Sequence, residues 1–297
     1  MSETKPTNEI IIEQIDVDDV FYYKKEKYNS NNHWDGPNGK PDDYESVLEK
    51  TQTKYWIDQF HKFYVTINIE KRDLKWMKEA SHISQMTQKV SRIHKDEIEE
   101  AIENYGSGLE FLFSQGQKWF VRSDTVSLKN GIHKEGPYTS MKQIIESLVT
   151  CKMGHSPVEI HTKELKLYLM PWREDLEFHS EFRVFVCENK LTAISQQHLY
   201  TTNEILKPLG EEERKTKIHE WIETIQCVFD KTIKNRITTL DSYVMDIDIT
   251  KDGKPYFIEI NCFGKEYASG ASLFHWILDE FKLYGRVENT VFFRYAI

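Results

Sequence analysis

The stretch YVMDIDITKDGKPYFIEIN, residues 243–261, consists of two runs in which apolar and polar side chains alternate. Asp252-Gly253 lies between the runs, and this dipeptide favours a two-residue type I′ turn. We therefore predict a β-hairpin in which Asp246 lies directly opposite Glu259. The apolar side chains then share the face that points to the core, and these are Met245, Ile247, Ile249, Tyr256, Ile258 and Ile260.

The opposite face of this hairpin is polar, and its members are Asp246, Asp248, Glu259 and Asn261. The same register pairs Asp248 with Phe257. Directly opposed carboxylates repel each other. Mg²⁺ accepts carboxylate and amide oxygens as ligands, together with water and substrate phosphates. The face is either a magnesium site or an ordinary solvated sheet face, and the spacing alone does not decide between them.

A second hairpin is predicted from residue 181 to residue 196. Its first strand, EFRVFVC, alternates, so Glu181 and Arg183 lie on the face opposite the apolar side chains. Gln196 and Gln197 close the returning strand. An arginine on a rigid strand can hold a phosphate with its forked guanidinium. The alternative is an ordinary ion pair between Glu181 and Arg183.

The remaining sequence predicts helices and strands in alternation. Helices are expected at 96–105, 141–148, 211–234 and 272–284, and strands at 119–121 and 165–169. This pattern indicates an α+β fold in preference to a doubly wound parallel sheet. The polar stretch from Arg122 to Gly131, which includes Lys129, is either a phosphate-covering loop or an ordinary surface loop. The first 50 residues are interpreted as a poorly packed extension with a turn-forming segment at 29–40.

The composition excludes several classes of function. The chain of 297 residues has 39 Lys and Arg against 48 Asp and Glu, a net charge of −9, so direct binding to nucleic acid is not expected. Its four cysteines are far apart, which argues against a zinc site or a disulfide framework. No apolar run approaches the roughly 20 residues of a membrane span. We therefore expect a cytoplasmic protein with no membrane partner.

Taken in order, several segments resemble the cell division cycle protein 123 family, whose members have an ATP-grasp fold. Residues 181–196 are similar to the family's EFRxFV…ENKL…ISQ hairpin. Residues 244–246 and 257–264 resemble its VFDxY…IDFNPFG segment, and SLFHW at 272–276 resembles its SLLFTW. The resemblance extends from about Tyr55 to Trp276. It implies two α+β subdomains with antiparallel sheets that enclose a nucleotide cleft, at 51–165 and 166–297, after the extension at 1–50.

The resemblance also implies ATP and Mg²⁺ as cofactors. Asp246, Glu259 and Asn261 would hold the metal, Arg183 would contact a phosphate, and the segment at 169–172 would border the adenine. The complete set of expected nucleotide-binding residues is Arg122, Lys129, Met170, Trp172, Glu181, Arg183, Gln196, Asp246, Glu259 and Asn261.

The sequence departs from the family pattern at several places. Met170-Pro171-Trp172 replaces an Arg-Lys-Trp segment, and Gln197 replaces an arginine. Glu259 replaces an aspartate and Cys262 a proline, which makes this strand more similar to ATP-grasp ligases.

Three functions remain open from the sequence. The first is an ATP- and Mg²⁺-binding assembly chaperone for translation initiation factor 2, which by resemblance binds its gamma subunit. The second is an ATP-dependent carboxylate–amine ligase that acts through an acyl phosphate. The third is a structural hairpin domain that binds no nucleotide.

Overall fold

A computed structural model describes residues 9–31, 39–267 and 269–297, except for the side chain of Gln115. The predicted turn-forming segment at 29–40 lies largely outside these residues. The chain divides into two units: residues 57–174 form the smaller unit, and residues 1–56 belong with 175–297 in the larger one. These bounds differ from the expected division at 51–165 and 166–297, because the N-terminal residues belong with the C-terminal ones.

The strands are numbered in chain order. They are β1 (Glu9–Ile15), β2 (Val65–Ile69), β3 (Trp119–Ser123), β4 (Leu165–Pro171), β5 (Glu181–Cys187), β6 (Lys190–Gln196), β7 (Tyr243–Ile249), β8 (Pro255–Cys262) and β9 (Thr290–Ala296).

The helices follow the same numbering. They are α1 (Val17–Lys27), α2 (Tyr44–Lys50), α3 (Thr53–Phe60), α4 (Lys71–Thr87), α5 (Lys95–Gly106), α6 (Glu110–Phe113), α7 (Met141–Thr150), α8 (Glu211–Val228), α9 (Lys234–Arg236) and α10 (Glu280–Leu283). In the described part of the chain, none of the helices has the length and apolar character that a membrane crossing requires.

The larger unit contains a six-stranded sheet in the order β1-β9-β6-β5-β7-β8. Neighbouring strands from β6 to β8 are antiparallel, whereas β9 is parallel to both β1 and β6. Helix α8 contributes Ile218, Trp221, Ile222 and Ile225 as buried residues, which is the apolar stripe of the sequence. The sheet therefore holds both predicted hairpins side by side, with β5 directly hydrogen-bonded to β7.

The smaller unit contains the antiparallel sheet β2-β4-β3. One face of this sheet, with Val121, Leu167 and Leu169, forms a core with buried side chains of α4, α5 and α7. Residue 131 must be glycine because a Cβ there would lie 2.6 Å from the backbone oxygen of Ser147. The second half of the polar stretch that follows Arg122 is thus packed against α7.

Most of the predicted elements are confirmed. The helix at 96–105 is α5, the one at 141–148 is α7, and the long helix at 211–234 is α8 continued by a π-helical turn at Phe229–Ile233 and by α9. Both hairpins are present, and the predicted turn between β5 and β6 has positive φ at Glu188 and Asn189, as a type I′ turn requires.

The interpretation of the N-terminal residues as a poorly packed extension is wrong for the described part. β1 pairs along its whole length with β9, a strand that the sequence reading did not assign. Val20 and Tyr28 are buried. The pairing partner lies about 280 residues away in the sequence, and no local pattern reveals such a distant contact.

The predicted helix at 272–284 is also wrong, since only α10 is helical there. Side-chain atoms accept hydrogen bonds from backbone N–H groups that would bond to backbone oxygens in a helix. The N–H groups of Ile277 and Leu278 donate to Nδ1 of His275 at 3.2 and 3.1 Å, and the N–H of His275 donates to Asp279 at 2.9 Å. Such local side-chain bonds compete with helix formation.

Replacement of Ser140 by alanine should destabilise the protein by about 1 kcal/mol, because Ser140 is the N-cap of α7. Its hydroxyl accepts a hydrogen bond from the backbone N–H of Gln143 at 3.3 Å. Urea denaturation measures the effect. Ser127→Ala is the control, since Ser127 precedes a short 3-10 turn without a side-chain capping bond; equal losses in both variants would contradict the capping role.

Candidate functional site

The register of the β7–β8 hairpin is confirmed at its polar centre and wrong near its turn. Asp246 pairs with Glu259, as predicted. Asp248, however, pairs with Tyr256 and not with Phe257. The loop has three residues, because the N–H of Thr250 donates to the backbone oxygen of Lys254, and Gly253 takes a positive φ of 78°. Asp246 and Glu259 still meet because a bulge at Ile258 restores the register.

The pairing of β5 with β7 brings the two predicted polar faces together. Arg183 lies opposite Asp246, and Glu181 lies opposite Asp248. With Glu259 on the next strand, this face of the sheet has four carboxylates and one guanidinium. Glu181 is within 3.1 Å of Nε2 of His198. We call this surface the acidic face, defined by Glu181, Arg183, Asp246, Asp248, Glu259 and Asn261.

Arg183 makes a two-pronged ion pair with Asp246. Its Nε donates to Oδ1 at 2.9 Å and its Nη2 donates to Oδ2 at 2.8 Å, while Nη1 donates to the backbone oxygen of Gly270 at 2.8 Å. The side chain of Arg183 is 12% exposed and that of Asp246 is 2% exposed. A guanidinium has five N–H donors, so two of them have no partner among the described residues. Those two could bind an anion.

Burial controls the protonation of the acidic face. Burial, with smaller contributions from Glu259 and Glu181, raises the pKa of Asp246 to about 6, although Arg183 acts in the opposite direction. Burial lowers the pKa of Arg183, but the charge of Asp246 and its hydrogen bonds outweigh that effect and the net direction is upward. The two side chains therefore form a charged pair at neutral pH.

Asp248 is the second buried acid on this face. Burial, with smaller contributions from Glu181, Glu177 and Asp175, raises its pKa to about 7, although the backbone N–H of Glu177 acts in the opposite direction. That N–H donates to Asp248 Oδ2 at 3.2 Å. Burial is the main cause of both raised pKa values, with smaller contributions from neighbouring acids, so these two carboxylates are costly to ionise where they lie.

Asp248→Asn should stabilise the protein by about 1–3 kcal/mol at pH 8 and by roughly a third of that amount at pH 5. The folded-state pKa lies above the ordinary aspartate value of about 3.9. Between the two values the folded state keeps a proton that the unfolded state releases, so stability falls as pH rises through this window. Urea denaturation at both pH values measures the difference. The exposed Asp252→Asn is the control, and an unchanged pH slope in Asp248→Asn would contradict the assignment.

Gln196 is the last residue of β6 and Gln197 follows it, and their side chains lie on opposite faces of the sheet. Gln197 Nε2 donates to Asp246 Oδ2 at 3.3 Å. Gln196 pairs with Phe182 and is fully buried, and its amide bonds the backbone oxygens of His198 and Thr201 and the N–H of Ala296. The structure therefore does not bring Gln196 to the acidic face.

The oxygen ligands expected for Mg²⁺ are present on adjacent strands. Asn261 Nδ2 donates to Glu259 Oε1 at 3.3 Å, and Glu259 lies opposite Asp246. Within the described ranges, no group of three or more His, Cys, Asp or Glu side chains could hold a metal ion. Mg²⁺ commonly takes one or two carboxylates and completes its shell with water and phosphate oxygens. The donor set fits Mg²⁺ bound together with a nucleotide.

The smaller unit places other predicted residues on one face of its sheet, opposite the helix-packed core. Arg122 pairs with Tyr168, and Met170 pairs with Phe120. The backbone N–H of Trp172 extends this ladder by donating to the oxygen of Lys118 at 2.9 Å. Lys129 is exposed and belongs to a 3-10 turn that follows β3 in the chain, so it is not part of this sheet. The contacts of these residues with a nucleotide stay a prediction.

Sequence reasoning missed the loop that supports Arg183. Gly270 supplies a backbone oxygen to Arg183, Ser272 binds Gln197, and Asn29 holds Ser272. A Cβ on Gly270 would lie 2.5 Å from Oδ1 of Asn29. The sequence offers one weak signal, since Ser272 begins the SLFHW segment.

The architecture and the acidic face define an ATP-grasp-like α+β protein. A model of the D123 family matches residues 140–290, just over half of the sequence. The chain belongs to the D123 family, the family of Cdc123.

Solved structures support the same fold. Cdc123 from Schizosaccharomyces pombe superposes with a TM-score of 0.56 at 18% identity, covering 84% of this chain and 97% of that one. A C-terminally truncated form of the same yeast protein gives a TM-score of 0.58 at 18% identity, with 84% and 96% covered. No curated protein matches the sequence. At this identity the similarity shows the fold alone.

Proposed function

We propose that this protein binds ATP with Mg²⁺ at the acidic face of the larger sheet. The observation that carries the proposal is the excess of carboxylates there, four against one guanidinium, with Asp246 and Asp248 almost completely buried. Negative charge concentrated on a buried face is costly, and a bound divalent cation would offset it.

The residues of the acidic face have distinct roles in this proposal. Asp246, Glu259 and Asn261 hold the metal, and the bound metal neutralises charge on the triphosphate. Arg183 keeps its bonds to Asp246 and directs its two remaining N–H donors to a phosphate oxygen. Charge-assisted hydrogen bonds of this kind contribute about 1.5–3 kcal/mol each.

We further propose an assembly role, in which the nucleotide-bound protein binds the gamma subunit of translation initiation factor 2. The support is the family membership together with the EFR and SLF segments that carry the resemblance. One observation supports the ligase alternative. Glu259 replaces the family's aspartate, which makes this strand more similar to ATP-grasp ligases, and it lies directly opposite Asp246.

Isothermal titration calorimetry with ATP tests the nucleotide proposal. Binding is expected with Mg²⁺ and is expected to weaken strongly in EDTA. Asp252→Asn provides a matched control, because Asp252 lies in the same hairpin but is exposed and hydrogen-bonds to Thr250 and Lys254 near the turn. Wild-type protein that binds ATP neither with nor without Mg²⁺ would overturn the proposal.

Two further measurements separate the chaperone from the ligase. The chaperone predicts complex formation between the purified protein and the purified gamma subunit, without release of ADP stimulated by small carboxylates and amines. The ligase predicts that ADP and phosphate appear only when both a carboxylate and an amine are supplied.

A further inference from the structure

Hydrogen-bond donors of the protein itself occupy most of the acceptor positions of the Asp246 carboxylate. Oδ2 accepts from Arg183 Nη2 at 2.8 Å and from Gln197 Nε2 at 3.3 Å, whereas Oδ1, as far as the described residues go, accepts from Arg183 Nε alone, at 2.9 Å. A carboxylate offers about four lone-pair positions, two on each oxygen. Oδ2 is therefore fully used, and the remaining acceptor position of Asp246 is on Oδ1.

Gln197 is held in this orientation from its other end. Ser272 Oγ donates to Gln197 Oε1 at 3.0 Å, so the amide nitrogen is directed to Asp246. The backbone N–H of Gln197 also donates to the backbone oxygen of Glu181, at 3.0 Å. Ser272 is fixed in turn, since its N–H donates to Oδ1 of Asn29 at 3.2 Å. These hydrogen bonds hold the side-chain amide of Gln197 in a single orientation.

We propose that Gln197 is a positioning residue that restricts Asp246 to binding the metal through Oδ1 alone. This inference rests on the proposed function, because it assumes that Asp246 is a metal ligand. Gln197 touches neither metal nor nucleotide in this account. It acts by occupying Oδ2 and by fixing the plane of the carboxylate.

This restriction has a consequence for metal selectivity. Mg²⁺ requires near-octahedral geometry with short bonds, whereas Ca²⁺ accepts six to eight oxygens and often takes a carboxylate through both of its oxygens. A carboxylate limited to one oxygen therefore favours Mg²⁺ over Ca²⁺. Residues that orient a metal ligand typically change metal affinity by about 10–100-fold.

The test compares ATP binding in Mg²⁺ and in Ca²⁺ by calorimetry, for wild type, Gln197→Met and Ser272→Ala. Gln197→Met keeps the length of the side chain but removes its donor. We expect its ATP dissociation constant in Mg²⁺ to rise about tenfold, with a smaller rise in Ca²⁺, so that the preference for Mg²⁺ shrinks. Ser272→Ala leaves Gln197 in place without its anchor and should give a smaller change in the same direction.

The double variant and a control complete the test. Because Ser272 acts through Gln197, the double variant should be no weaker than Gln197→Met alone. Gln226→Met on α8 is the matched control and should keep the wild-type ratio, and circular dichroism checks folding. If Gln197→Met and Ser272→Ala both keep the wild-type ratio of Mg²⁺ to Ca²⁺ affinity, the inference is overturned while the proposed function stands. Wild-type protein that binds no MgATP overturns both.

Discussion

Arg183→Ala is expected to destabilise the protein by about 3–5 kcal/mol at pH 8, because it leaves a buried carboxylate without its counter-charge. Asp246 would then lie beside Glu181 and Glu259 without the positive charge of Arg183. From the sequence alone, Arg183 is a phosphate contact on an open polar face, and its removal should leave the fold intact. The two-pronged ion pair changes that expectation.

Chemical denaturation at pH 8 and pH 5 measures this effect. The unpaired Asp246 has its pKa raised by burial, so the folded variant binds a proton that the unfolded chain releases, and the loss of stability should shrink as pH falls. Arg286→Ala is the matched control. Its ion pair with Glu280, at 2.9 Å, is partly exposed and should contribute only about 0–1 kcal/mol. A pH-independent loss of the same size in both variants would contradict the buried-pair account.

The acidic face was predictable from sequence because it depends on local hairpins. Alternation along β7 and β8 assigned Asp246 and Glu259 to one face. Two deviations from the predicted strand register then cancelled each other. The turn is one residue longer than Asp252-Gly253 alone suggests, and the bulge at Ile258 compensates before the paired acids are reached. The prediction was thus correct at the centre, although it failed beside the turn at Asp248.

For Gln196 an unpredicted bulge made the prediction wrong, because nothing compensates for the shift in register. Uninterrupted pairing from the Glu188-Asn189 turn would place Gln196 opposite Glu181, on the acidic face. A bulge at Thr192 shifts the register, so that Gln196 pairs with Phe182. A shift by one residue moves a side chain to the other face of a sheet. Thr192 bonds the backbone oxygen of Leu283, a partner distant in sequence.

The elements that sequence reasoning missed depend on contacts distant in the chain. β1 and β9 each find a strand partner only in the folded sheet, and residues 272–279 lose their helix to side-chain acceptors within the segment and on Ser30 and Ser195. Local propensity at 272–284 is helical, and the tertiary structure overrides it. The role of Gln197 also depends on the folded structure. In the sequence it replaces an arginine and so removes a positive charge, whereas in the fold it donates a hydrogen bond to Asp246.

Asp246→Asn is expected to abolish most of the stabilisation that MgATP confers. A ligand that binds only the folded state stabilises it by about 2.7 kcal/mol at a hundredfold excess over its dissociation constant. If removal of the charged metal ligand raises that constant a hundredfold, the same nucleotide concentration contributes only about 0.4 kcal/mol. Thermal or chemical denaturation with and without MgATP measures this difference, and each variant serves as its own nucleotide-free baseline.

The design separates loss of the metal ligand from loss of the ion pair. Asp246→Asn keeps the shape and an acceptor oxygen for Arg183, whereas Arg183→Ala keeps Asp246 and removes the guanidinium. The metal account requires that Asp246→Asn lose its response to Mg²⁺ more completely than Arg183→Ala, which should still bind MgATP with reduced affinity. The exposed Asp252→Asn should show the full wild-type shift. If Asp246→Asn retains that full shift as well, Asp246 does not bind the metal, and the acidic face must be balanced by Arg183 and protonation alone.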